Sequence, residues 1–272
     1  MSNLLGHRGI VASSVGEDAL GGELRRRLAE LELDASSVQL DELHPTGTVA
    51  VHLDAHGQPT YEIAPNVAWD FLEWTPEWRQ LAGDADVICF GSLAQRSDTS
   101  RGTIREFLTA SRADTIRIFD VNLRQHFFSA DTLAESFRLA QVAKLNDLEL
   151  PVVVRELGLV YDEENASAER LRRTFGLRLV CVTRGNKGSL LVGENQFDEH
   201  PGFAVRVADV VGAGDAFTAA LAHHLLRGSP LRVADEAANR MGAWVASQAG
   251  GTPPPEPDVI RMVRGEGNSD AV

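Results

Sequence analysis

One glycine-rich segment, Ala208–Phe217, concentrates residue types able to do chemistry, because Gly212, Ala213 and Gly214 stand directly before Asp215. Small side chains allow neighbouring backbone amides to converge at the start of a helix, where the helix dipole also favours an anion. Asp215 could accept a proton from a hydroxyl there, and phosphoryl transfer requires such a base together with preorganised donors. The alternative is a glycine turn with Asp215 as helix N-cap, which the segment by itself favours because glycine turns are common.

Three further clusters of polar or glycine residues occur along the chain: Asp120–Arg124, Lys144–Glu149 and Thr183–Gly188. Together with the segment 208–217 they belong to strand ends of the predicted sheet, and ligands of such sheets bind at the carboxyl ends of strands. We therefore expect all four clusters to face one crevice. Each cluster alone has a simpler explanation: the asparagine could cap a helix, the glutamate could be solvated, the glycines could shape a turn, and the arginine could pair with a surface carboxylate.

The elements that must position these clusters alternate between strands and helices. Apolar runs predict strands that end at Gly16, Gly91, Asp120 and Thr183, whereas Lys144–Asn146 is predicted to open a helix. The spacing of apolar residues predicts helices over Ala19–Leu31, through Arg105 and Leu108, around Leu133–Ala143, near Ala216–Arg227 and near Ala234–Ala249. Continuous apolar strands interleaved with helices predict an α/β fold, a mostly parallel sheet with helices on both faces.

A β-hairpin is predicted within residues 44–66. Thr48–Leu53 alternates with period two, Asp54–Gly57 has turn composition, and Thr60–Ile63 forms the second strand, with Pro59 at an edge position. This period-two pattern differs from the alternation of strands and helices in the rest of the chain. It predicts a small lid, inserted in a single α/β domain over residues 1–272.

Composition excludes several classes of protein and site. The net charge of −13, from 26 basic and 39 acidic residues, argues against binding to nucleic acid or to an anionic membrane. Cys89 and Cys181 lie in apolar runs that predict buried strands, so we expect neither a disulfide nor a zinc site. The N-terminus has no signal-peptide core and no apolar run reaches membrane-spanning length, so the expected location is the cytoplasm.

In type and order, the four clusters resemble the motifs of the PfkB-type, ribokinase-like carbohydrate kinases. Those motifs are Gly-Ala-Gly-Asp, Asn-x-x-Glu, Thr-x-Gly-x-x-Gly and Asp-x-Asn-x-Arg, and the matches spread over most of the chain. The resemblance implies a ribokinase-like fold that transfers a phosphoryl group from ATP to a sugar hydroxyl. Asp215 would be the base, and Gly212, Ala213 and Gly214 would stabilise the transferring group. Mg²⁺ and a monovalent cation such as K⁺ are the implied metal cofactors.

The same resemblance implies the other contacts of the site. The nucleotide would be bound by Lys144, Asn146, Glu149, Thr183, Gly185, Gly188 and Asn239. The sugar would contact Gln95, Asn122, Arg124 and Asp215. Glu149 would hold hydrated Mg²⁺. The monovalent cation would be held by backbone carbonyls near Asp209, Val211, Val245, Gln248 and Gly250. Asn239 would border the adenine; the alternative is a solvated helix residue.

Within the family, four segments look most like bacterial fructokinases: Pro45–Val49, Val67–Asp70, Gly91–Arg96 and Arg124–Phe128. They favour fructose as the acceptor. The hairpin of residues 44–66 resembles the lid that covers the sugar in this family and often mediates dimerisation, which implies a homodimer. A lid excludes water and so protects the phosphoryl group from hydrolysis.

Two features depart from the family pattern. Val210 stands where the family usually has threonine, and Leu4–Gly9 resembles the end of a helix that in the family follows a first strand and a sugar-binding Gly-Gly loop. The chain is therefore predicted to be N-terminally truncated relative to the family, which would impair sugar positioning and hence rate. A longer natural start is an equal explanation. The alternatives to a fructokinase are a non-catalytic nucleotide-binding or scaffold relative, and a kinase for another sugar, a sugar acid or a nucleoside.

Overall fold

The structure is a computed structural model that describes residues 1–53, 59–254 and 256–266. The chain divides into two units. The sheet unit comprises Met1–His7, Ala85–Leu93 and Ala113–Val272, and the hairpin unit comprises Arg8–Asp84 and Ala94–Arg112. The glycine-rich segment and the three other polar clusters all belong to the sheet unit.

The described residues form strands and helices in alternation. The strands are β1 (Ser13–Gly16), β2 (Val38–Asp41), β3 (Val49–Leu53), β4 (Pro59–Ile63), β5 (Val87–Gly91), β6 (Ile116–Asp120), β7 (Val142–Asn146), β8 (Leu179–Thr183), β9 (Ser189–Gly193) and β10 (Gln196–His200). The α-helices are α1 (Ala19–Glu30), α2 (Pro76–Asp84), α3 (Asp98–Ala110), α4 (Ala130–Leu139), α5 (Glu149–Glu156), α6 (Glu164–Phe175), α7 (Ala213–Leu226), α8 (Leu231–Ala246) and α9 (Pro257–Val263). Among the described residues, no helix is both long enough and apolar enough to cross a bilayer.

The sheet unit is built on six strands in the order β10-β9-β8-β7-β6-β5. Strands β5 to β8 are parallel, whereas β9 pairs antiparallel with both β8 and β10. Parallel pairing places the carboxyl ends of β6, β7 and β8 at one edge of the sheet, so the clusters that follow those strands are neighbours. The α/β fold predicted from the alternation of elements is confirmed.

Both faces of this sheet are covered, as continuous apolar strands require. In β8, Leu179 and Cys181 face a core shared with α7, α8 and α9, whereas Val180 and Val182 face a core shared with α4, α5 and α6. Because successive side chains of a strand point to opposite faces, one short strand contributes to both cores. The buried sheet thus holds the strand ends in a fixed array.

The hairpin unit contains two small sheets. β1 pairs parallel with β2, and β3 pairs antiparallel with β4. The β3–β4 pairing confirms the predicted hairpin, while its predicted turn, Asp54–Gly57, falls outside the described residues.

The prediction that Lys144–Asn146 opens a helix is wrong, because Val142–Asn146 is strand β7. The preceding helix also ends at Leu139, short of the predicted Ala143, and the next helix begins at Glu149. Alanine, lysine and leucine are good helix formers, so local propensity favoured a helix here. Burial between β6 and β8 overrides that weak preference.

The prediction that Cys89 is buried is also wrong, whereas Cys181 is buried as expected. Cys89 lies in β5, the last strand in the order of the described sheet, and is paired there only with β6. A strand at an edge has one side without a neighbouring strand, so an apolar run alone does not fix burial.

A buried ion pair organises the hairpin unit. The Arg96 guanidinium donates to both carboxylate oxygens of Asp70, at 2.7 Å each, and to the carbonyl of Ala64 at 2.6 Å, and it lies 4.0 Å from the centre of the Trp69 ring. The Arg96 and Asp70 side chains are 6% and 4% exposed. The segments around Trp69 and Arg96 that resembled fructokinases therefore meet in space.

Replacing Asp70 with alanine is expected to lower the free energy of unfolding by about 3–5 kcal/mol, because it leaves the Arg96 charge buried without its partner. Urea denaturation followed by circular dichroism measures this. The matched control is Glu30→Ala, which breaks the Arg27–Glu30 pair, exposed by 62% on both sides, and should cost less than about 1 kcal/mol. Equal losses in the two variants would contradict a special role for the buried pair.

Candidate active site

The glycine-rich segment forms the start of α7. Gly212 is the N-cap with φ 79°, a left-handed conformation that favours glycine, and Asp215 is the third residue of the helix. A Cβ on Gly212 would lie 2.5 Å from the carbonyl oxygen of Gly251, so the turn also needs a residue without a side chain. The alternative that Asp215 is the N-cap is wrong. Asp215 is instead exposed in the first turn, whose N–H groups lack intrahelical acceptors.

The three amides predicted to converge on an anion are not equivalent. The Ala213 N–H donates to the carbonyl of Val210 at 3.3 Å, a long hydrogen bond, while the Gly212 carbonyl accepts from Ala216 at 2.9 Å to begin the helix. Gly214 lies above a buried cation, because a Cβ on it would be 3.0 Å from Nζ of Lys144. An anion at this turn would therefore meet helix-start N–H groups and a lysine charge together.

A buried polar network lies beneath the turn. Lys144 Nζ donates to Asp120 Oδ1 and Oδ2 at 3.1 and 2.9 Å. The Thr218 hydroxyl lies 3.1 Å from Asp120 Oδ2 and 3.0 Å from the Gly214 carbonyl, and shares its proton between them. Through these contacts β6 and β7 are joined to the first turn of α7, which carries Asp215.

Lys144 remains charged in this network. Its burial alone lowers the pKa of the ammonium, but the charge of Asp120 and the hydrogen bonds between them outweigh burial, and the pKa of Lys144 is raised above its ordinary value. Lys144 and Asp120 are each 8% exposed. The site therefore has a fixed positive charge below the helix start, although the chain as a whole is acidic.

Asn146 and Glu149 exchange hydrogen bonds in the turn between β7 and α5. Asn146 Oδ1 accepts from the amides of Leu148 and Glu149, at 3.0 and 2.8 Å, and Glu149 Oε2 accepts from the Asn146 amide at 2.9 Å. Glu149 Oε1 accepts from the Leu123 amide at 2.8 Å. The N-cap of α5 is Leu148, so Asn146 supports the turn that leads into the helix and is not its N-cap. The alternative that Glu149 is solvated is wrong, because Glu149 is 8% exposed. Glu149 thus fastens the end of β7 to the loop after β6.

The loop after β8 is a tight turn with two glycines of positive φ, Gly185 at 58° and Gly188 at 82°. A Cβ on Gly188 would lie 1.9 Å from the carbonyl oxygen of His200, which leaves no room for a side chain. The Arg184 amide closes the turn on the Gly188 carbonyl at 2.7 Å, and its guanidinium donates to Glu164 and Glu199 at 2.6 and 2.5 Å. The backbone of the predicted phosphate loop is therefore held rigidly at the sheet edge.

Asn239 is buried on α8, so the alternative of a solvated helix residue is wrong. Its amide nitrogen lies 2.6 Å from Ser189 Oγ and 2.8 Å from Asp235 Oδ1, and it is 7% exposed. Ser189 directly follows Gly188, so Asn239 is adjacent to the loop. Contact of Asn239 with an adenine remains a prediction.

The residues predicted for the monovalent cation occupy two neighbouring segments, 208–212 and 245–251. The Ala246 carbonyl accepts from the amides of Ala208 and Asp209, at 2.9 and 3.2 Å. Within the first segment Asp209 Oδ1 accepts from the Val211 amide at 2.9 Å. Within the second, the Val245 carbonyl accepts from the Gln248 amide at 3.0 Å, so one of its lone pairs is used. The structure brings these segments together; a cation there stays a prediction.

The residues predicted to contact the sugar are divided between the two units. Asn122 and Arg124 are exposed on the loop after β6, where Asn122 has φ 43° and Arg124 donates to the Leu123 carbonyl at 3.1 Å. Gln95 belongs to the hairpin unit and is 3% exposed. The described residues contain no group of three or more His, Cys, Asp or Glu side chains that could hold a metal ion.

Sequence reasoning missed three residues of this region and gave a fourth no separate role: Thr218, Ser189, Asp235 and Asp120. Thr218 could have been found, because it follows Asp215 by three positions and so lies on the same helix face. Ser189 and Asp235 are far apart in sequence, and only the fold brings them together.

A family model described as pfkB family carbohydrate kinase matches residues 2–258. The fructokinase of Klebsiella pneumoniae is 31% identical over 214 residues, which cover 76% of this chain and 67% of that protein. The structure of fructokinase with bound ATP from Xylella fastidiosa matches with a TM-score of 0.85 and 21% identity, over 97% of this chain and 87% of that chain. Fructokinase from Vibrio cholerae O395, in a form with fructose, ADP and calcium ion bound, matches with a TM-score of 0.74 and 26% identity, over 92% and 83%.

Gly188→Ala is expected to lower the free energy of unfolding by at least about 2 kcal/mol more than Gly185→Ala. Both glycines have positive φ, but a Cβ on Gly185 meets nothing within 4 Å, whereas one on Gly188 collides with backbone. The loss of unfolding free energy in Gly185→Ala therefore measures the backbone strain alone, which is about 1–2 kcal/mol. Chemical denaturation of both variants measures the difference, and equal stabilities would show that the loop can open to admit a side chain.

Proposed function

This chain belongs to the pfkB family of carbohydrate kinases, and we propose that it transfers the γ-phosphoryl group of ATP to a hydroxyl of fructose. The observation that carries the proposal is the start of α7, where Asp215 stands in the first turn above the buried Lys144. A carboxylate, helix-start amides and a fixed cation at one point are the parts that phosphoryl transfer needs.

Asp215 is assigned as the general base. Asp215 is exposed, so a substrate hydroxyl can reach it. The Thr218 hydroxyl donates to the carbonyl of Gly214, the residue before Asp215, and this hydrogen bond fixes the first turn of the helix. As the hydroxyl oxygen attacks the γ-phosphorus, its proton passes to the Asp215 carboxylate, and the bond from phosphorus to the leaving ADP oxygen breaks. Negative charge on the phosphoryl oxygens is stabilised by the N–H groups of the helix start and by the helix dipole.

The nucleotide is assigned to the edge of the sheet unit formed by the ends of β7 and β8. The turn Thr183–Gly188 and the side-chain amide nitrogen of Asn146 are the proposed neutral donors there, and neither requires a positively charged surface. Lys144 adds a single buried charge. This arrangement accounts for ATP binding by a chain whose net charge is −13.

The residues present fit Mg²⁺ through Glu149, and a monovalent cation through carbonyls of segments 208–212 and 245–251. Both Glu149 oxygens already accept a backbone amide, but a carboxylate oxygen has a further lone pair, which suits an outer contact to hydrated metal. When bound, Mg²⁺ would neutralise phosphate charge. K⁺ is the candidate for the second position, where carbonyls rather than carboxylates are the available donors.

The acceptor is assigned to the part of the sheet unit that carries Asp215, Asn122 and Arg124. Fructose is favoured because the fructokinase of Klebsiella pneumoniae is 31% identical and the Vibrio cholerae structure was obtained with fructose bound. Phosphorylation of another sugar, a sugar acid or a nucleoside is the second candidate. Homodimerisation through the hairpin of residues 44–66 and a cytoplasmic location complete the proposal.

Release of ADP from Mg-ATP, measured with fructose, glucose, ribose, a sugar acid and adenosine in turn, tests the acceptor. We expect fructose to give the highest kcat/KM. Turnover with another acceptor alone would reassign the substrate within the same chemistry. Turnover with none of them, while Mg-ATP still raises Tm, would establish instead a non-catalytic nucleotide-binding relative.

Asp215→Asn is expected to lower kcat by about 10²–10⁴-fold, the usual contribution of a general base, with the KM for ATP little changed. Steady-state kinetics with the best acceptor measures both. Asp131→Asn is the matched control, because Asp131 is likewise an exposed aspartate in the first turn of a helix, and it should leave kcat unchanged. A loss below tenfold in a folded Asp215→Asn protein would rule out the assignment of the base.

A further inference from the structure

A buried side-chain network connects α8 to the strand that leaves the predicted phosphate loop. Ser189 Oγ lies 2.5 Å from Asp235 Oδ1, and the Asn239 amide nitrogen lies 2.6 Å from Ser189 Oγ and 2.8 Å from the same Asp235 oxygen. Ser189 and Asp235 are 0% exposed. The Ser189 and Asn239 side chains both donate to one carboxylate oxygen of Asp235, so Asp235 holds the network together.

The other oxygen of Asp235 is in a different situation. Oδ2 is buried and has no hydrogen-bond donor within the described structure. Burial raises the pKa of Asp235, and the neighbouring carboxyl of Asp198 on β10 raises it further. Two carboxyl groups can bond to each other only when one of them carries a proton. A proton on Oδ2 satisfies the oxygen that otherwise has no partner and removes the repulsion between the two groups.

We propose that Asp235 is a positioning residue of the nucleotide site, which acts through Ser189 and Asn239 to fix the loop Thr183–Gly188 against α8. The proposal rests on the assignment of that loop to ATP. Ser189 directly follows Gly188 and pairs with Thr183 across β8 and β9, so it anchors both ends of the loop. Asn239 lies on the helix beside it. One carboxyl group therefore places both sides of the predicted nucleotide pocket.

Protonation of Asp235 makes this contact dependent on pH. Burial raises the pKa of Asp235, the hydrogen bond from Ser189 lowers it, and the neighbouring Asp198 raises it, with a net rise from 3.8 to about 7. Because the folded pKa is the higher one, the stability that the proton supplies is fully present below about 3.8 and is lost as pH rises to about 7. Around neutral pH the network passes from a neutral to a charged form.

The charged groups around Asp235 do not replace this proton. β10 supplies Asp198 and β8 supplies the buried Cys181, which interacts with Asp235 electrostatically. On α8 itself Glu236 is bound by His200 and Arg240. On the helices packed against α8, His223 contacts His7, His224 contacts Val263 and Ser229, and Arg261 of α9 contacts Asp258.

The test compares Asp235→Asn with Asp235→Ala in the full chain. Asparagine keeps an acceptor for Ser189 and can donate to Asp198, as the protonated acid does, whereas alanine leaves Ser189 and Asn239 without their buried acceptor. We expect Asp235→Ala to raise the Kd and KM for Mg-ATP about tenfold with kcat at saturating ATP little changed. Asp235→Asn should bind Mg-ATP as the wild type does at pH 6.

The pH dependence separates positioning from a general loss of stability. Between pH 6 and 8 the wild-type Kd for Mg-ATP, measured by calorimetry, should rise about threefold or more, and that rise should be absent in Asp235→Asn. Ser189→Ala should weaken Mg-ATP binding in the same direction as Asp235→Ala. Ser167→Ala is its matched control and should leave the Kd unchanged. Ser167 on α6 is also a fully buried serine, and its hydroxyl accepts from the amide of Asp162.

Calorimetry does not require turnover, so the two proposals fail separately. Absence of ADP release with normal Mg-ATP binding would overturn the kinase assignment alone. A Kd within twofold of wild type in folded Asp235→Ala and Ser189→Ala, or an Asp235→Asn protein with the pH dependence of the wild type, would overturn the positioning role. If Asp235→Ala does not fold, the Asp235→Asn pH profile and the paired serine variants decide the question.

Discussion

The buried ion pair between Lys144 and Asp120 is the interaction on which the arrangement of the site depends. Two opposite charges removed from water are stable only if each keeps its partner, because an unpaired buried charge costs several kcal/mol. Their contact at 2.9 Å therefore fixes the ends of β6 and β7 relative to each other. Thr218 extends the constraint to α7, since its hydroxyl touches both Asp120 and the carbonyl of Gly214. Asp215, one residue after Gly214, is positioned as a consequence.

A second carboxylate strengthens the same edge of the sheet. Glu149 accepts one hydrogen bond from an amide of the loop after β6 and one from an amide at the end of β7. It therefore joins the same two strand ends that the ion pair of Asp120 and Lys144 joins. Asp235 does the equivalent between β9 and α8. Asp120, Glu149 and Asp235 thus each hold together two elements that the sequence separates widely, and a preorganised site is the result.

The sequence predicted the elements with clear patterns and the clusters with unusual residue types. The parallel sheet and the hairpin within residues 44–66 followed from alternation, period and composition. A tight turn at Gly185 and Gly188 was the simpler of two interpretations, and the structure shows that turn. The strand at Val142–Asn146 was missed because its residues also suit a helix and only burial between two strands decides the matter. Cys89 was misplaced because an apolar run does not reveal which strand lies at the end of a sheet. Contacts such as Asp120 with Thr218, 98 positions apart, could be found only in the fold.

Glu149 shows how a motif and its geometry complement each other. The resemblance to the kinase family implied metal binding, while the structure shows Glu149 as a buried acceptor of two amides. Accepting two amides at once requires both oxygens of an acid. Lys144 is similar: the resemblance implied nucleotide binding, and the fold adds that its removal would leave the buried Asp120 charge without its ion-pair partner.

A double-mutant cycle on Asp120 and Lys144 tests the central claim most directly. The free energies of unfolding of Asp120→Asn, Lys144→Met and the double variant are compared with that of the wild type by urea titration. If the buried pair is the constraint that holds the strand ends, the double variant should be destabilised by at least about 1 kcal/mol less than the sum of the single losses. Losses that add to within about 0.5 kcal/mol would contradict it, because independent residues behave in that way.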